Sequence, residues 1–454
     1  MESDDARELE GLAQSVVERA RRAGADVAEA SARQGFDLSV RVRLGNPERV
    51  EEAGHRGVSL RVLRDQRVAI TSTSDLSPAG LERLVNDAIE LLDLSQPDPC
   101  AGPAAPELLA KPPFPDYDLY DPRVARVDAD EALRIATLAE RAALAFDPRI
   151  KLSEGATFAR SSGVGVLVLS SGFSGVQRST YASLSVSPVV EDEGGKKRRG
   201  HYWTANRHFD GLENTEFVGQ EAARRTLGKL GARKVPTTEA PVVFDPDEAR
   251  SLLGSFAGCV LGGAIWRKSS YLLERENTEV ASPLVTIVDD PTIPRAPGSR
   301  AFDGEGLPAR RNVVVEKGVL KGFLLDSYSA RKLGRASTGS AARSGGSIGP
   351  STTNFLLLAG KTPASEIVRS TERGLFVTDL MGFGFNPVTG DFSRGAAGFW
   401  IESGELAFPV SEVTISSNLD TMLKNIDAVG EDLVLKSSTA APTLRIASMT
   451  ISGT

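Results

Sequence analysis

Residues 152–190, LSEGATFARSSGVGVLVLSSGFSGVQRSTYASLSVSPVV, constrain the fold more than any other part of this 454-residue chain. Apolar and polar side chains alternate along most of the stretch, the period of two that gives a β-strand one buried face. Gly163 and Gly172 punctuate it at hairpin-like intervals, so its strands should return antiparallel. Shorter runs of the same kind precede it: FDLSVRVRL (36–44), GVSLRVLRD (57–65) and RVAITSTS (67–74), the last two joined by an Arg64–Asp65–Gln66 pivot. Later come LVTIVDD, RRNVVVEKGVLKGFLLD, NFLLLAGK and PTLRIASMTISG. Helical periodicity appears between the strands at 7–23, 77–93, 128–145, about 215–230, 246–265, 363–374 and 418–430. The expected fold class is α+β: an N-terminal two-layer α/β domain, then large antiparallel β-sheets with packed helices.

Length favours more than one core. Residues 1–95 read as an α-β-β-β-α domain, 96–127 as a proline-rich linker or extended arm, 128–235 as a central α+β domain and 236–454 as a β-rich C-terminal domain. The net charge of −7 argues against direct nucleic-acid binding, which needs a basic face. One basic run, Lys196–Lys197–Arg198–Arg199, follows Glu191, Asp192 and Glu193 and reads as a solvated hairpin tip or loop, with a polyanion or partner contact as the alternative. The acidic start MESDDARELEGL lacks a secretion signal, and no run of eighteen apolar residues occurs, so a cytoplasmic protein without membrane spans is expected.

The chemistry-bearing residues are sparse. The three histidines, His55, His201 and His208, are not within a helical turn of one another and read as surface or hairpin residues rather than a zinc set. Cys100 and Cys259 are the only cysteines; Cys259 sits among apolar neighbours, where an inert buried thiol is the default. No Gly-x-Ser-x-Gly elbow is present, and GFGFNPVTG lacks the Lys-Ser/Thr of a phosphate loop. Asp289, Asp290, Asp303 and Glu305 offer oxygen ligands, but solvated turn acids are the simpler reading.

The segment LLGSFAGCVLGGAIWRKSS (252–270) has a helical apolar stripe of Leu252, Leu253, Phe256, Ala257, Val260, Leu261 and Ile265, studded with Gly254, Gly258, Gly262 and Gly263. Each glycine costs a helix about 1 kcal/mol, so something is expected to approach it closely, a sheet or a partner chain. With NPVTGDFSRGAAGFWIESGE (386–405), SNLDTMLKNIDAVGEDL (417–433) and APTLRIASMTISG (441–453), the segment resembles the TldD/PmbA family, most closely its PmbA (TldE) branch.

The resemblance implies a heterodimeric zinc metallopeptidase in which a TldD-type and a TldE-type subunit enclose extended or unfolded peptides. It also implies the family's description as a modulator of DNA gyrase. The TldD-type helix carries His-Glu-x-x-x-His, completed by a later cysteine. Here Gly254 stands at the first His, Ser255 at the Glu and Cys259 at the second His, and no cysteine follows Cys259. The resemblance therefore implies a chain with no catalytic residue and no metal of its own, zinc being expected in a TldD-type partner. Asn386, Thr389, Gly390, Asp391, Ser393, Gly395, Phe399 and Trp400 are its candidate peptide-binding or cavity-lining residues. They read as a strand–turn–strand element in which Asp391 and Ser393 bond the turn, Gly395 and Gly398 take positive φ, and Phe399 and Trp400 pack. An exposed strand edge there would bind peptide by β-augmentation; the alternative is a motif that only folds a hairpin.

Overall fold

The structure, a computed structural model, describes residues 2–454. Asp65 and Gln66 hold φ of 51° and 61°, the left-handed pair of a tight type I′ hairpin. That pivot joins β2 (Asn46–Arg64) to β3 (Arg67–Thr73), and β1 (Val27–Arg43) precedes β2 through Leu44 and Gly45. α1 (Glu2–Arg22) lies before these strands and α2 (Pro78–Leu94) after them. The proline-rich stretch carries a short 3-10 turn and α3 (Pro122–Ala125). There follow α4 (Ala129–Ala145), β4 (Leu152–Leu169), β5 (Ser174–Glu191), β6 (Lys197–Arg199), β7 (Tyr202–Asn206) and α5 (Thr215–Leu227).

β4 returns alongside β1, so the early and central strands make one antiparallel sheet in the order β3-β2-β1-β4-β5-β6, with β7 also on β5. β1 shows how its faces divide. Ala28, Ala30 and Ala32 sit under α1 and α2, and Leu38, Val40 and Val42 under α4 and α5. The odd-numbered Glu29, Ser31 and Arg33 turn to the opposite face. β1 begins well before residue 36 because its first half alternates in alanine, a weak apolar signal that two helices nonetheless bury.

The second half opens with β8 (Thr238–Phe244), α6 (Pro246–Cys259) and α7 (Gly262–Trp266). β9 (Ile287–Asp289), β10 (Asn312–Glu316), β11 (Val319–Leu320), α8 (Ser327–Lys332), the hairpin β12 (Ala341–Ser344) and β13 (Ser347–Pro350), and β14 (Phe355–Leu357) follow. Last come α9 (Ala364–Arg369), β15 (Arg373–Met381), β16 (Asp391–Glu402), β17 (Glu405–Asn418), α10 (Leu419–Lys424), β18 (Ile426–Val429), β19 (Thr439–Ala440) and β20 (Leu444–Ser452). A six-stranded sheet runs β17-β16-β15-β8-β20-β18, and β17 also pairs with β20, closing the sheet on itself. A smaller sheet, β11-β10-β9-β14-β19, packs with it around α6 in one core that includes Phe244, Phe256, Phe355 and Ile446. The fold is α+β with largely antiparallel sheets.

Three helices expected from periodicity are shorter. The 418–430 helix stops at Lys424, because Ile426 and Val429 pair with β20 instead. The 363–374 helix stops at Arg369, and Arg373 already belongs to β15. The 246–265 helix breaks after Cys259: Leu324 N–H donates to Val260 O at 3.0 Å, and Gly262 N–H donates to Leu324 O at 2.8 Å. This bridge draws Val260 and Leu261 out of the helix, and Gly262 is required where α7 starts because a Cβ would lie 2.4 Å from Ser329 Oγ.

One buried ion cluster ties the halves together. Glu29 on β1 accepts from Arg61 on β2 at 2.8 Å and from Arg343 on β12 at 2.6 Å. Burial pushes the Glu29 carboxyl up, but the two guanidiniums outweigh it and hold it below its ordinary value.

Candidate functional site

α6 starts at Asp245, whose carboxylate accepts from Glu248 N–H at 2.9 Å, with Pro246 in the first turn. Leu252, Leu253, Phe256 and Ala257 face the core, and Phe256 stacks on Phe355 with ring centroids 6.4 Å apart. The opposite face is nearly bare. Gly254 and Gly258 are exposed, and a Cβ built on either would meet nothing within 4 Å. Among the described residues nothing comes within 4 Å of a Cβ at those two glycines; of the four, only Gly262 and Gly263 are crowded, by Ser329 and Leu325 and by Arg267.

Ser255 is half-buried and its hydroxyl donates to Ser251 O at 3.3 Å. Cys259 is fully buried, its thiol directed to Ser255 O at 3.5 Å, and burial pushes it up to about 12. It stays a neutral thiol at physiological pH, neither nucleophile nor ready metal ligand. Glycine offers no ligand atom and the serine hydroxyl no general base. The donor set at these positions does not fit zinc, and among the described residues no three His, Cys, Asp or Glu side chains are grouped to hold a metal ion.

The segment between β15 and β16 lies over the end of α6. Pro387 O accepts from Tyr271 N–H at 2.8 Å and lies 4.0 Å from the Cys259 sulfur. The loop holds itself: Asn386 Oδ1 accepts from Val388 N–H at 2.9 Å, Thr389 Oγ1 donates to Asp391 Oδ2 at 2.6 Å, and Gly390 takes φ of 81°. Asn418 Nδ2 donates to Thr389 O at 2.8 Å and to Asp391 Oδ1 at 3.2 Å. Thr389 and Asp391 therefore gather with Asn418 in one loop with Asn386 and Gly390, and of that loop Pro387 lies against Cys259. Farther along β16, Phe399 and the buried Trp400 point away from this loop's contacts: Phe399 abuts Gly228, and Trp400 lies under the Arg373 guanidinium at 5.4 Å.

The strand–turn–strand expectation needs correction. Residues 391–402 form the single strand β16, and the turns lie outside it at Gly390 and at Ser403–Gly404. Gly395 and Gly398 have no positive φ; Gly398 is needed because its Cβ would stand 1.8 Å from Phe376 O at a bulge. Ser393 works through its backbone, N–H donating to Gly384 O at 2.7 Å. β16 is also no edge, being paired with β15 on one side and β17 on the other. Peptide pairing along it would have to displace a neighbour.

Other expectations fail for a shared reason, long-range burial. Asp289, Asp303 and Glu305 are not solvated turn acids but 1%, 2% and 4% exposed. Asp303 accepts from the N–H groups of Glu305, Leu307 and Ala341, and Glu305 from Ser327 N–H, while burial pushes Glu305 up to about 7. Asp290 is half-buried and bonds Thr292. His208 is buried too, its ring bonded to Asp118 O at 2.9 Å, whereas His55 and His201 are exposed. The basic run does lie at a solvated hairpin, between β5 and β6, with Lys196, Lys197 and Arg199 exposed; Lys196 pairs with Glu412 and Arg199 with Glu154, and only Arg198, bound to Asp192, is largely buried.

Two features had no clear signal in the sequence. Glu248, pushed up to about 7 by burial, accepts from Leu380 N–H beside Asp379 and Arg394. The end of β15 and the loop after it carry exposed apolar side chains, Met381, Phe383 and Val388, of which Phe383 is fully open. GFGFNP held the only hint, aromatic residues between glycines.

Sequence profiles of the three domains of PmbA/TldA metallopeptidases match residues 28–92, 122–230 and 237–453. Metalloprotease PmbA of Escherichia coli O157:H7 is 39% identical over 94% of this chain and 92% of its own. The chain belongs to the PmbA branch of the PmbA/TldD family. A PmbA homolog from Haemophilus influenzae is 37% identical over 98% of this chain and 96% of its own. A TldD homolog from the same organism is 27% identical over 81% and 78%. The crystal structure of a proposed modulator of DNA gyrase from Bacteroides thetaiotaomicron superposes with a TM-score of 0.91 at 30% identity, covering 98% of both chains. TldE from Thermococcus kodakarensis shares the fold, with a TM-score of 0.87 at 21% identity over 97% and 100%.

Proposed function

We propose that this PmbA-family chain is the non-catalytic, TldE-type subunit of a heterodimeric zinc metallopeptidase. A TldD-type partner supplies the zinc and its ligands, and the pair encloses extended or unfolded peptides and cleaves them in the cytoplasm. The observation that carries this reading is the chemistry of α6: Gly254, Ser255 and a buried neutral Cys259 stand where the resemblance puts His, Glu and His in the partner. The bare face of Gly254 and Gly258 and the exposed Phe383 loop beside that helix are the surface this chain offers to substrate or partner.

The test is reconstitution. This chain and a His-Glu-x-x-x-His relative from the same genome are purified apart and together, then assayed on an unfolded peptide with metal analysis of each. The expected result is a one-to-one complex, zinc following the partner, and cleavage by the mixture only. Stoichiometric zinc and peptide cleavage by this chain alone would sink the proposal. A stable homodimer that ignores the partner would favour a second reading, a non-hydrolytic peptide-binding or regulatory protein akin to the proposed gyrase modulator.

A further inference from the structure

The face of the large sheet turned away from its helices borders, with Arg300, Phe302, Asp303, Gly304, Ala342 and Arg343 of the second half, an open cavity of about 440 Å³. Its floor is cut low. Gly165 of β4 lies there, and a Cβ on it would meet nothing within 4 Å. Its walls carry three arginines. Arg343 is 8% exposed, bound by Glu29 at 2.6 Å and by Gly304 O at 3.0 Å, yet its Nη1 is buried without an acceptor. Arg300 also lines the cavity; its Nε and Nη2 are unpaired but screened from solvent, so they reach the cavity only if the side chain rotates. Arg33, exposed at the rim, donates one N–H to Arg343 O at 2.7 Å.

Arg56, Arg67, Arg250 and Arg394 each leave a single Nε buried without an acceptor, but among the described residues Arg300 alone leaves two such positions on one edge, which is costly and asks for a partner. Asp303 and Asp289 attract Arg300 but do not bond to it: Asp303 accepts from backbone N–H groups on both oxygens and Asp289 accepts from Thr353 N–H, while Glu29 is shared between Arg61 and Arg343. The idle edge of Arg300 is informative. Nε and Nη2 form the side of the guanidinium that grips the two oxygens of one carboxylate. Elsewhere in this chain the same edge does so, Arg224 on Glu221 at 2.7 and 2.7 Å and Arg149 on Asp147 at 2.9 and 2.9 Å.

We propose that this cavity is a carboxylate-binding site, in which the Arg300 side chain rotates to lay its Nε–Nη2 edge on the two oxygens of a ligand carboxylate, a shift of Arg343 frees its Nη1 for a third N–H, and Arg33 draws the anion in. The carboxylate belongs to a peptide terminus or to a small organic acid. The site is complete in one chain, so it stands or falls independently of the partner-subunit reading.

The experiment is calorimetric titration of the isolated full chain with four probes: N-acetyl-dialanine, its C-terminal amide, succinate and inorganic phosphate. Binding of N-acetyl-dialanine or succinate, with no binding of the amide and at least about tenfold weaker binding of phosphate, supports the site. The tighter of the two carboxylates names its source. Arg300→Gln should weaken carboxylate binding at least about tenfold. Gly165→Val, a β-branched residue in an open strand position, should keep the melting temperature and abolish binding, so the test survives if the arginine variant fails to fold. Equal binding of the amide, equal binding of phosphate, no binding of either carboxylate, or unchanged binding in Gly165→Val would overturn it.

Discussion

At the scale of single residues, glycine is the side chain whose role depends most on its surroundings. Gly254 faces open space, so in the isolated chain Gly254→Ala should stabilise by about 1 kcal/mol through helix propensity alone, seen as a higher urea midpoint. A loss of stability would contradict the exposure of that face. In the two-chain mixture the same methyl should weaken association if a partner backbone rests on the helix there. Gly398 is the opposite case. Its Cβ would press on Phe376 O, and Gly398→Ala should destabilise by about 1–3 kcal/mol in the same measurement. The sequence shows both glycines but not the difference between them, because neighbours distant in the chain decide it. The acids of AFDGEGLP teach the same lesson: locally they look like a turn, and only the N–H groups of Ala341 and Ser327 reveal why they are inside.

At the scale of elements, α6 was largely legible. Its apolar stripe, its Asp245 cap and Pro246 are all local signals, and the core-facing residues follow from the 3.6-residue period. Its end was not legible, since the break after Cys259 is imposed by Leu324. The cap carries a pH signature. Burial, with Asp247 adding to it, pushes Asp245 up to about 8, while Glu248 N–H and Arg225 oppose the shift. The folded state then holds a proton that the unfolded state releases near its ordinary carboxylate value, so stability from this group is present at low pH and is lost as pH rises from about 4 towards 8. Asp245→Asn keeps a good cap and should flatten the fall in thermal midpoint between pH 5 and pH 8. An unchanged slope would mean that the fall arises elsewhere, for instance at Glu248 or Glu305.

At the scale of the whole molecule, the alternating runs foretold the sheets, but not that β1 and β4 would merge two stretches of chain into one sheet or that β17 and β20 would close another. Such pairings join distant segments, and no local pattern encodes them. The Glu29 cluster is equally long-range, and it is the buried ionic link between the halves. Glu29→Gln would leave Arg61 and Arg343 buried against a neutral amide, at a cost of about 3–5 kcal/mol by chemical denaturation. An unchanged midpoint would show that the halves do not lean on that cluster. The place of β8 has a consequence for biosynthesis. Its two companions, β15 and β20, are both translated long after it, and Val242, Val243 and Phe244 have no strand beside them until those arrive. A nascent chain halted in between would display a naked, greasy ribbon to everything around the ribosome, which makes this the stretch that a holdase chaperone should shield first.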